Sequence, residues 1–197
     1  MLKYNTVRDI KILTECLQIG CEALRSVGAK FWLSDGALLA IEREGEVFQH
    51  DHDFDMGIWG DEQLQEIYTA FPPEFKPLGW ASEIIYGKQQ GYAFQYKSWI
   101  FDLRFWYDGG EYLVNAQRYP SEFAWRVGTF YESKKLFTNL AEIDYHGVKV
   151  PVPNPTNEYL VERYGNDWKT FPLTGENRWW IYSKSFKSDN SIWEKIK

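Results

Sequence analysis

The sequence has few residues that build disulfides or soft-metal sites, with two Cys, two Met and three His among 197 residues. Cys16 and Cys21 are five residues apart in a segment with helical periodicity, which does not place both thiols on one helix face. A disulfide between them is therefore not expected. No apolar run approaches the roughly 18 residues that span a membrane, and the N-terminal residues lack the apolar core of a signal peptide. We expect a cytoplasmic protein without a membrane span.

Positive charge is also in deficit, because 22 Lys and Arg residues stand against 28 Asp and Glu residues, for a net charge of −6. Broad capture of nucleic acid needs a basic surface, so a nucleic-acid partner is not expected, although a local basic pocket is compatible with this charge. The apolar fraction of 44% is typical of globular proteins. The length favours one domain over residues 1–197, with a helical, aromatic-rich C-terminal part from about residue 151.

Aromatic residues are abundant, at 18% of the chain with ten Trp. The simpler interpretation is that these rings fill the core and its margins, because aromatic side chains bury large areas. The alternative is that some of them stack on a nucleobase or a sugar ring, and composition alone does not separate the two.

Apolar periodicity divides the chain into alternating helices and strands, and the region from 117 to 140 gives no clear pattern. The predicted elements are a helix over 6–26, a strand over 30–34, a helix over 36–43, a strand over 53–59, a helix from about 60 to 70, two or three strands between 81 and 106, hairpins around 108–110 and 146–147, and a helix over 156–164.

The strand over 53–59 carries Asp53 and Asp55 on one face, about 7 Å apart by strand rise. Two such carboxylates suit Mg²⁺, which prefers oxygen ligands, although acidic pairs are common on surfaces. A helix start at Ser34-Asp35-Gly36-Ala37 precedes them, and Asp102 follows in an apolar strand. An unpaired Asp is costly there, so a functional role is favoured, while an ion pair with Arg104 is the structural alternative.

Four segments resemble the LicD/fukutin family. Gly36–Arg43 (GALLAIER) and 47–57 (VFQHDHDFDMG) are similar to its pattern G-T-L-L-G-x-x-R…P-W-D-D-D-I-D-x-G. Ile100–Leu103 (IFDL) is similar to its later Asp-containing strand, and Tyr164–Trp168 (YGNDW) with Pro172 to its late Y-G-x-x-W…P element. Departures from the pattern include Ala37, Ala40, His50 and His52.

The resemblance implies an α+β, nucleotidyltransferase-like (polymerase-β-type) mixed sheet flanked by helices. It also implies Mg²⁺-dependent transfer of a phospho-alcohol, such as phosphocholine or ribitol phosphate, from a CDP-activated donor to a glycan hydroxyl. Mn²⁺ is the alternative ion. The implied catalytic and metal-binding residues are Asp53, Asp55 and Asp102. The implied substrate-binding residues are Gly36, Ala37, Arg43, Tyr164, Gly165 and Trp168.

Several alternatives remain at this stage. The chain could be a small NTP-dependent nucleotidyltransferase, or an inactive glycan- or nucleotide-binding module of the same fold. His50 and His52 could bind zinc, and His52 could change the metal preference. Arg43 could pair with neighbouring glutamates, and the Tyr164–Trp168 segment could be a helix C-cap with an aromatic ring packed behind it.

Overall fold

A computed structural model describes residues 9–60, 64–79, 82–120, 124–170 and 183–196. The helices are α1 (Ile10–Ser26), α2 (Asp35–Glu44), α3 (Leu64–Ala70) and α4 (Thr156–Tyr164). The strands are β1 (Phe31–Leu33), β2 (Asp53–Trp59), β3 (Lys76–Pro77), β4 (Ile84–Ile85), β5 (Lys88–Gln89), β6 (Gly91–Tyr96), β7 (Trp99–Asp108), β8 (Tyr112–Pro120), β9 (Trp125–Ser133), β10 (Ala141–Tyr145), β11 (Val148–Val152) and β12 (Phe186–Lys187).

The main sheet has eight strands. Six of them follow the order β1-β2-β7-β8-β9-β12, and the other two are β6, which also pairs with β7, and β3, which pairs with β6. Strands β2 and β7 run parallel, whereas the other pairs are antiparallel, so the sheet is mixed. The strand pairs β4–β5 and β10–β11 form separate hairpins. Helices α1 and α2 contact β7 and β2 respectively. The predicted α+β class, with a mixed sheet flanked by helices, is confirmed.

The two faces of β2 and β7 differ, because successive side chains of a strand point to opposite sides. Phe54 and Met56 of β2 and Phe101 of β7 are fully buried on one face. Helix α1 packs there so closely that a Cβ at Gly20 would lie 2.5 Å from the Phe101 ring. The opposite face carries the aspartates.

Helix α1 ends close to its predicted C-terminus. Its last residue is Ser26, and Gly28 follows with φ +69°, a conformation that favours glycine. At the other end, the Asp9 side chain accepts a hydrogen bond from the Ile12 N–H at 3.2 Å. The predicted first residues of this helix, 6–8, lie outside the described part of the chain.

The region predicted to hold two or three strands, from 81 to 106, contains more strands than expected. Four strands, β4 to β7, replace the predicted two or three, with breaks at Gly87 and Lys97, where φ is +74° and +52°. Residue 81 lies outside the described ranges, as do 61–63 at the predicted start of the third helix, which here begins at Leu64.

Strand β9 lies in the region that gave no pattern. It pairs with β8 along its whole length, from Trp125 opposite Pro120 to Ser133 opposite Tyr112. Its buried positions include the polar residues Thr129 and Glu132, which hide the alternation of apolar and polar residues that marks a strand.

In the described part of the chain, Cys16 and Cys21 are both buried, free thiols. None of the described helices is long and apolar enough to cross a membrane.

Candidate active site

The parallel pairing of β2 and β7 brings two of the predicted carboxylates together. Asp55 lies directly opposite Asp102 in the register, and Asp53 lies opposite Ile100, one step along the same face. Asp102 is only 5% exposed, although it carries a carboxylate. The three aspartates predicted from the sequence therefore share one face of adjacent strands.

Asp102 is held by one of its two carboxylate oxygens. Arg104, two residues further along β7, donates from Nη2 to Asp102 Oδ2 at 2.6 Å. Oδ1 is buried and has no hydrogen-bond partner among the described residues. Burial raises the pKa of Asp102 to about 6, and the Arg104 guanidinium opposes this rise. Because buried polar atoms normally have partners, Oδ1 is the atom of this face that a cation or a proton would satisfy.

Negative charge is crowded around Asp55. Burial raises its pKa well above the ordinary value, and the charges of Asp53, Asp35 and Asp102 raise it further. Asp35, Asp53, Asp55 and Asp102 lie near two guanidinium groups, those of Arg104 and Arg163, and Arg163 also pairs with the buried Glu132, so carboxylates outnumber guanidinium groups here. A divalent cation would offset this excess, so the donor set and its charge fit Mg²⁺.

The aspartates do not form a ready-made cage. As the side chains stand, no group of three or more His, Cys, Asp or Glu residues in the described ranges is arranged to hold a metal ion. Mg²⁺ commonly binds through one or two carboxylates and completes its shell with water and substrate phosphate, so the observed face is compatible with such a site.

The N-terminus of α2 is fixed beside Asp55. The backbone N–H of Ser34 donates to the Asp55 carbonyl oxygen at 2.9 Å, and the Ser34 hydroxyl reaches the same oxygen at 3.2 Å. Asp35 follows with φ +49°, which non-glycine residues rarely adopt and which is often found at functional sites. A Cβ at Gly36 would lie 3.5 Å from Asp51 Oδ2, whereas Ala37 is 1% exposed. Ala37 is almost completely buried, and its contact with substrate stays a prediction.

A buried network around Arg163 supports this helix start. Arg163 is in the last turn of α4 and donates to Glu132 Oε1 at 2.7 Å, to Ser185 Oγ at 3.2 Å and to Asp35 Oδ1. Glu132, in β9, is completely buried, and burial raises its pKa to about 7 against the effect of Arg163. The network links α4 and β9 to the first residue of α2.

The segment from Tyr164 to Trp168, at the end of α4, contains one residue near the carboxylates, one that caps the helix and one that packs in the core. Burial and the charge of Asp35 raise the pKa of Tyr164, and Asp55 contributes to the rise, which indicates that Tyr164 lies near the aspartates. Gly165 caps the helix with φ +100°. Trp168 is 4% exposed and donates from Nε1 to Asn157 at 3.3 Å. The packing interpretation fits Gly165 and Trp168, and direct contact of these three residues with substrate stays a prediction. Residue 172 lies outside the described ranges.

Arg43 lies in the last turn of α2, and His50 and His52 lie in the segment that leads from α2 to β2. Arg43 donates to Glu44 Oε1 at 2.8 Å and lies over the Phe48 ring at 4.8 Å, so the predicted alternative of a helix-surface ion pair is present. Binding of phosphate by Arg43 stays a prediction. The His50 ring stacks on Phe48 at 5.5 Å, and the His52 side chain is exposed.

Four residues of this site were not predicted as site residues. Asp35 precedes Gly36 in the motif and Arg104 follows Asp102 by two positions on the same strand face, so both could have been found from their spacing. Arg163 and Glu132 gave no local signal, because their pairing depends on how distant segments come together.

A mixed sheet that carries three aspartates on two parallel strands, beside a helix N-terminus, defines a site of the nucleotidyltransferase class. A family model described as "LicD/FKTN/FKRP, nucleotidyltransferase domain" matches residues 28–155, and the chain belongs to this family. The family predicted from the motifs is therefore confirmed.

Curated relatives extend this match. The ribitol-5-phosphate transferase FKTN of Homo sapiens is 28% identical over 202 residues, which cover 96% of this chain and 40% of that protein. The FKTN of Mus musculus is 28% identical over 185 residues, with 91% and 37% covered. The chain thus spans about two fifths of the length of these relatives. Among solved structures, the antibiotic-resistance factor ANT(2'')-Ia matches with a TM-score of 0.48 and 14% identity, over 86% of this chain and 79% of that one.

Proposed function

We propose that this chain transfers a phospho-alcohol, with ribitol 5-phosphate as the first choice, from a CDP-activated donor to a glycan hydroxyl in a Mg²⁺-dependent reaction. The observation that carries the proposal is the pairing of Asp55 with Asp102 across β2 and β7, together with the buried Asp102 Oδ1 that has no partner among the described residues. Family membership and the name of the FKTN relatives support the transferase class and the choice of ribitol phosphate.

Asp53, Asp55 and Asp102 are the residues that would hold Mg²⁺, or Mn²⁺ in its place. When bound, the ion would neutralise charge on the transferred phosphoryl group and on the leaving CMP. The carboxylates supply oxygen ligands, and a divalent cation would offset part of their excess negative charge.

The start of α2 would receive phosphate oxygens. The first backbone N–H groups of a helix have no partner within the helix, and the helix dipole favours an anion there. Gly36 allows a close approach because it has no side chain, and the hydrogen bonds of Ser34 to Asp55 fix this helix start relative to the carboxylates.

Asp102 is the candidate acceptor for the proton of the glycan hydroxyl. Arg104 occupies Oδ2 and thereby fixes the orientation of the carboxylate, so Oδ1 would accept this proton in the arrangement where Asp53 and Asp55 hold the ion. The attacking oxygen would then approach the phosphorus in line with the leaving CMP, so that positioning and charge neutralisation account for most of the rate enhancement.

A thermal-shift screen with CDP-ribitol, CDP-choline, CTP and ATP, each with and without Mg²⁺, tests the proposal. A ligand that binds only the folded state stabilises it, by about 2.7 kcal/mol when its concentration is 100 times its Kd, and the melting temperature rises as a result. We expect a rise with CDP-ribitol that requires Mg²⁺ and is lost in Asp55→Asn. A preference for CTP or ATP, with pyrophosphate released, would instead assign an NTP-dependent nucleotidyltransferase. Metal-independent binding without turnover would assign a binding module.

A further inference from the structure

Arg104 is a cation on the carboxylate face that uses little of its hydrogen-bonding capacity. It follows Asp102 by two residues in β7, so both side chains lie on one face of the sheet. Within the described ranges, its hydrogen bond to Asp102 Oδ2 is the one that the guanidinium makes, although the group carries five N–H donors. The side chain is 25% exposed, and the remaining donors are therefore accessible to a ligand.

The strands on both sides of Arg104 carry glycine at the paired positions. Gly57 of β2 and Gly91 of β6 lie opposite Arg104 in the register. A Cβ at Gly91 would lie 2.4 Å from the Leu103 carbonyl oxygen, so the close strand approach requires glycine there. On the other side, the Trp32 indole covers Gly57. No side chain from either paired position therefore competes for the guanidinium.

The chemistry of Arg104 suits a phosphate. Arginine stays protonated in proteins, so the guanidinium of Arg104 is a positive charge beside the Asp102 carboxylate. A guanidinium fork can bind phosphate oxygens through two parallel N–H donors, and it is fixed in direction when one of its nitrogens is already held by a carboxylate. Asp102 provides this fixation at 2.6 Å.

We propose that Arg104 binds a phosphate group of the donor and that Asp102 holds the guanidinium in place for this contact. The inference rests on the proposed function, because it adds a residue of this chain to the donor site. It differs from a purely structural role, in which Arg104 would only orient Asp102 and never touch the ligand.

Isothermal titration calorimetry with three probes separates the two roles. CDP, cytidine and inorganic pyrophosphate are titrated into wild type, Arg104→Gln and Arg104→Lys in the presence of Mg²⁺, and Mg²⁺ is titrated alone. We expect Arg104→Gln to weaken CDP and pyrophosphate binding by about 10- to 100-fold, which is the range for a hydrogen bond to a charged group. Cytidine affinity should not change, and Mg²⁺ affinity should stay the same or increase because a positive charge beside the carboxylates is removed.

Arg104→Lys keeps the charge but loses the fork, so an intermediate loss of CDP affinity is expected. Arg118→Gln is the matched control, because this arginine is 53% exposed and pairs with Glu83 away from the carboxylate face. It should bind all probes as the wild type does.

CDP and pyrophosphate affinities of Arg104→Gln within twofold of wild type would overturn the inference. A parallel loss of Mg²⁺ affinity would also overturn it, because Arg104 would then act through Asp102. If Arg104→Gln does not fold, Arg104→Lys decides, and unchanged affinity contradicts the contact. If the wild type binds pyrophosphate but neither CDP nor cytidine, the CDP donor of the proposed function is rejected. The pyrophosphate affinity of Arg104→Gln then still tests the phosphate contact of Arg104. Wild type that binds none of the probes would reject both.

Discussion

The buried network around Arg163 makes a strong prediction about stability. Arg163→Met removes a guanidinium that is 5% exposed and leaves Glu132, completely buried, and Asp35 without their shared cation. Loss of one member of a buried ion pair typically costs about 3–5 kcal/mol, because the remaining charge stays desolvated. We expect the free energy of unfolding to fall by about this amount at pH 8, where Glu132 is largely ionised in the wild-type protein.

The same network predicts how the loss depends on pH. The pKa of Glu132 is raised to about 7 in the folded protein, above its ordinary value of 4.5. Between these two values the folded state binds more protons than the unfolded state, so this group lowers stability as pH rises through that window. Without Arg163 the folded-state pKa rises further, and a protonated Glu132 leaves no uncompensated charge. The loss caused by Arg163→Met should therefore be smaller at pH 5 than at pH 8.

Urea unfolding followed by tryptophan fluorescence at pH 5 and pH 8 measures this difference. Arg118→Met serves as the control, because it breaks an exposed pair and should change stability by less than about 1 kcal/mol. A loss below about 1 kcal/mol at pH 8 for Arg163→Met, or a larger loss at pH 5 than at pH 8, would contradict the proposed pairing of Arg163 with an ionised Glu132.

Three further substitutions test other parts of the structure. Asp55→Asn removes a carboxylate whose pKa is raised by burial and by neighbouring charges. In differential scanning fluorimetry the metal-free variant should melt at the same or a higher temperature than the wild type, and its response to Mg²⁺ should disappear. A lower melting temperature without metal would contradict this expectation. Trp168→Ala should lower the free energy of unfolding by about 3–5 kcal/mol, because it leaves a cavity in the core. Urea unfolding should show a much smaller loss for Trp168→Phe, and unchanged stability of Trp168→Ala would reject the packing role. Gly57→Ala places a Cβ 2.2 Å from the Trp32 indole nitrogen and should cost about 1–3 kcal/mol, and an unchanged melting temperature would argue against the observed contact.

Local patterns predicted some elements to the residue. Strand β2 matches its predicted bounds because its aspartates and apolar residues alternate from Asp53 to Trp59. Helix α4 also matches, because Pro155 precedes it and Gly165 ends it. Strand β9 was missed because the polar residues Thr129 and Glu132 occupy buried positions in it, and the partner of Glu132, Arg163, lies in the distant helix α4.

In the candidate site, too, some residues were predictable from local patterns and others depend on contacts between distant segments. Strand periodicity placed Asp53 and Asp55 on one face of β2, whereas the position of Asp102 opposite Asp55 depends on the register of β2 and β7. The contact between Arg163 and Asp35 joins residues 128 positions apart. In the sequence, Arg163 is one basic residue in the last turn of a helix, where such residues are common for reasons of helix electrostatics alone. Its role depends on tertiary packing.

Release of CMP from CDP-ribitol in the presence of a glycan acceptor, followed by ³¹P NMR, is the decisive measurement for the proposed transfer. We expect CMP and a phosphodiester product with wild type in Mg²⁺, and loss of both in Asp53→Asn, in Asp55→Asn and on chelation of the metal. Turnover that persists in both variants, or release of pyrophosphate from CTP in place of CMP from CDP-ribitol, would contradict it.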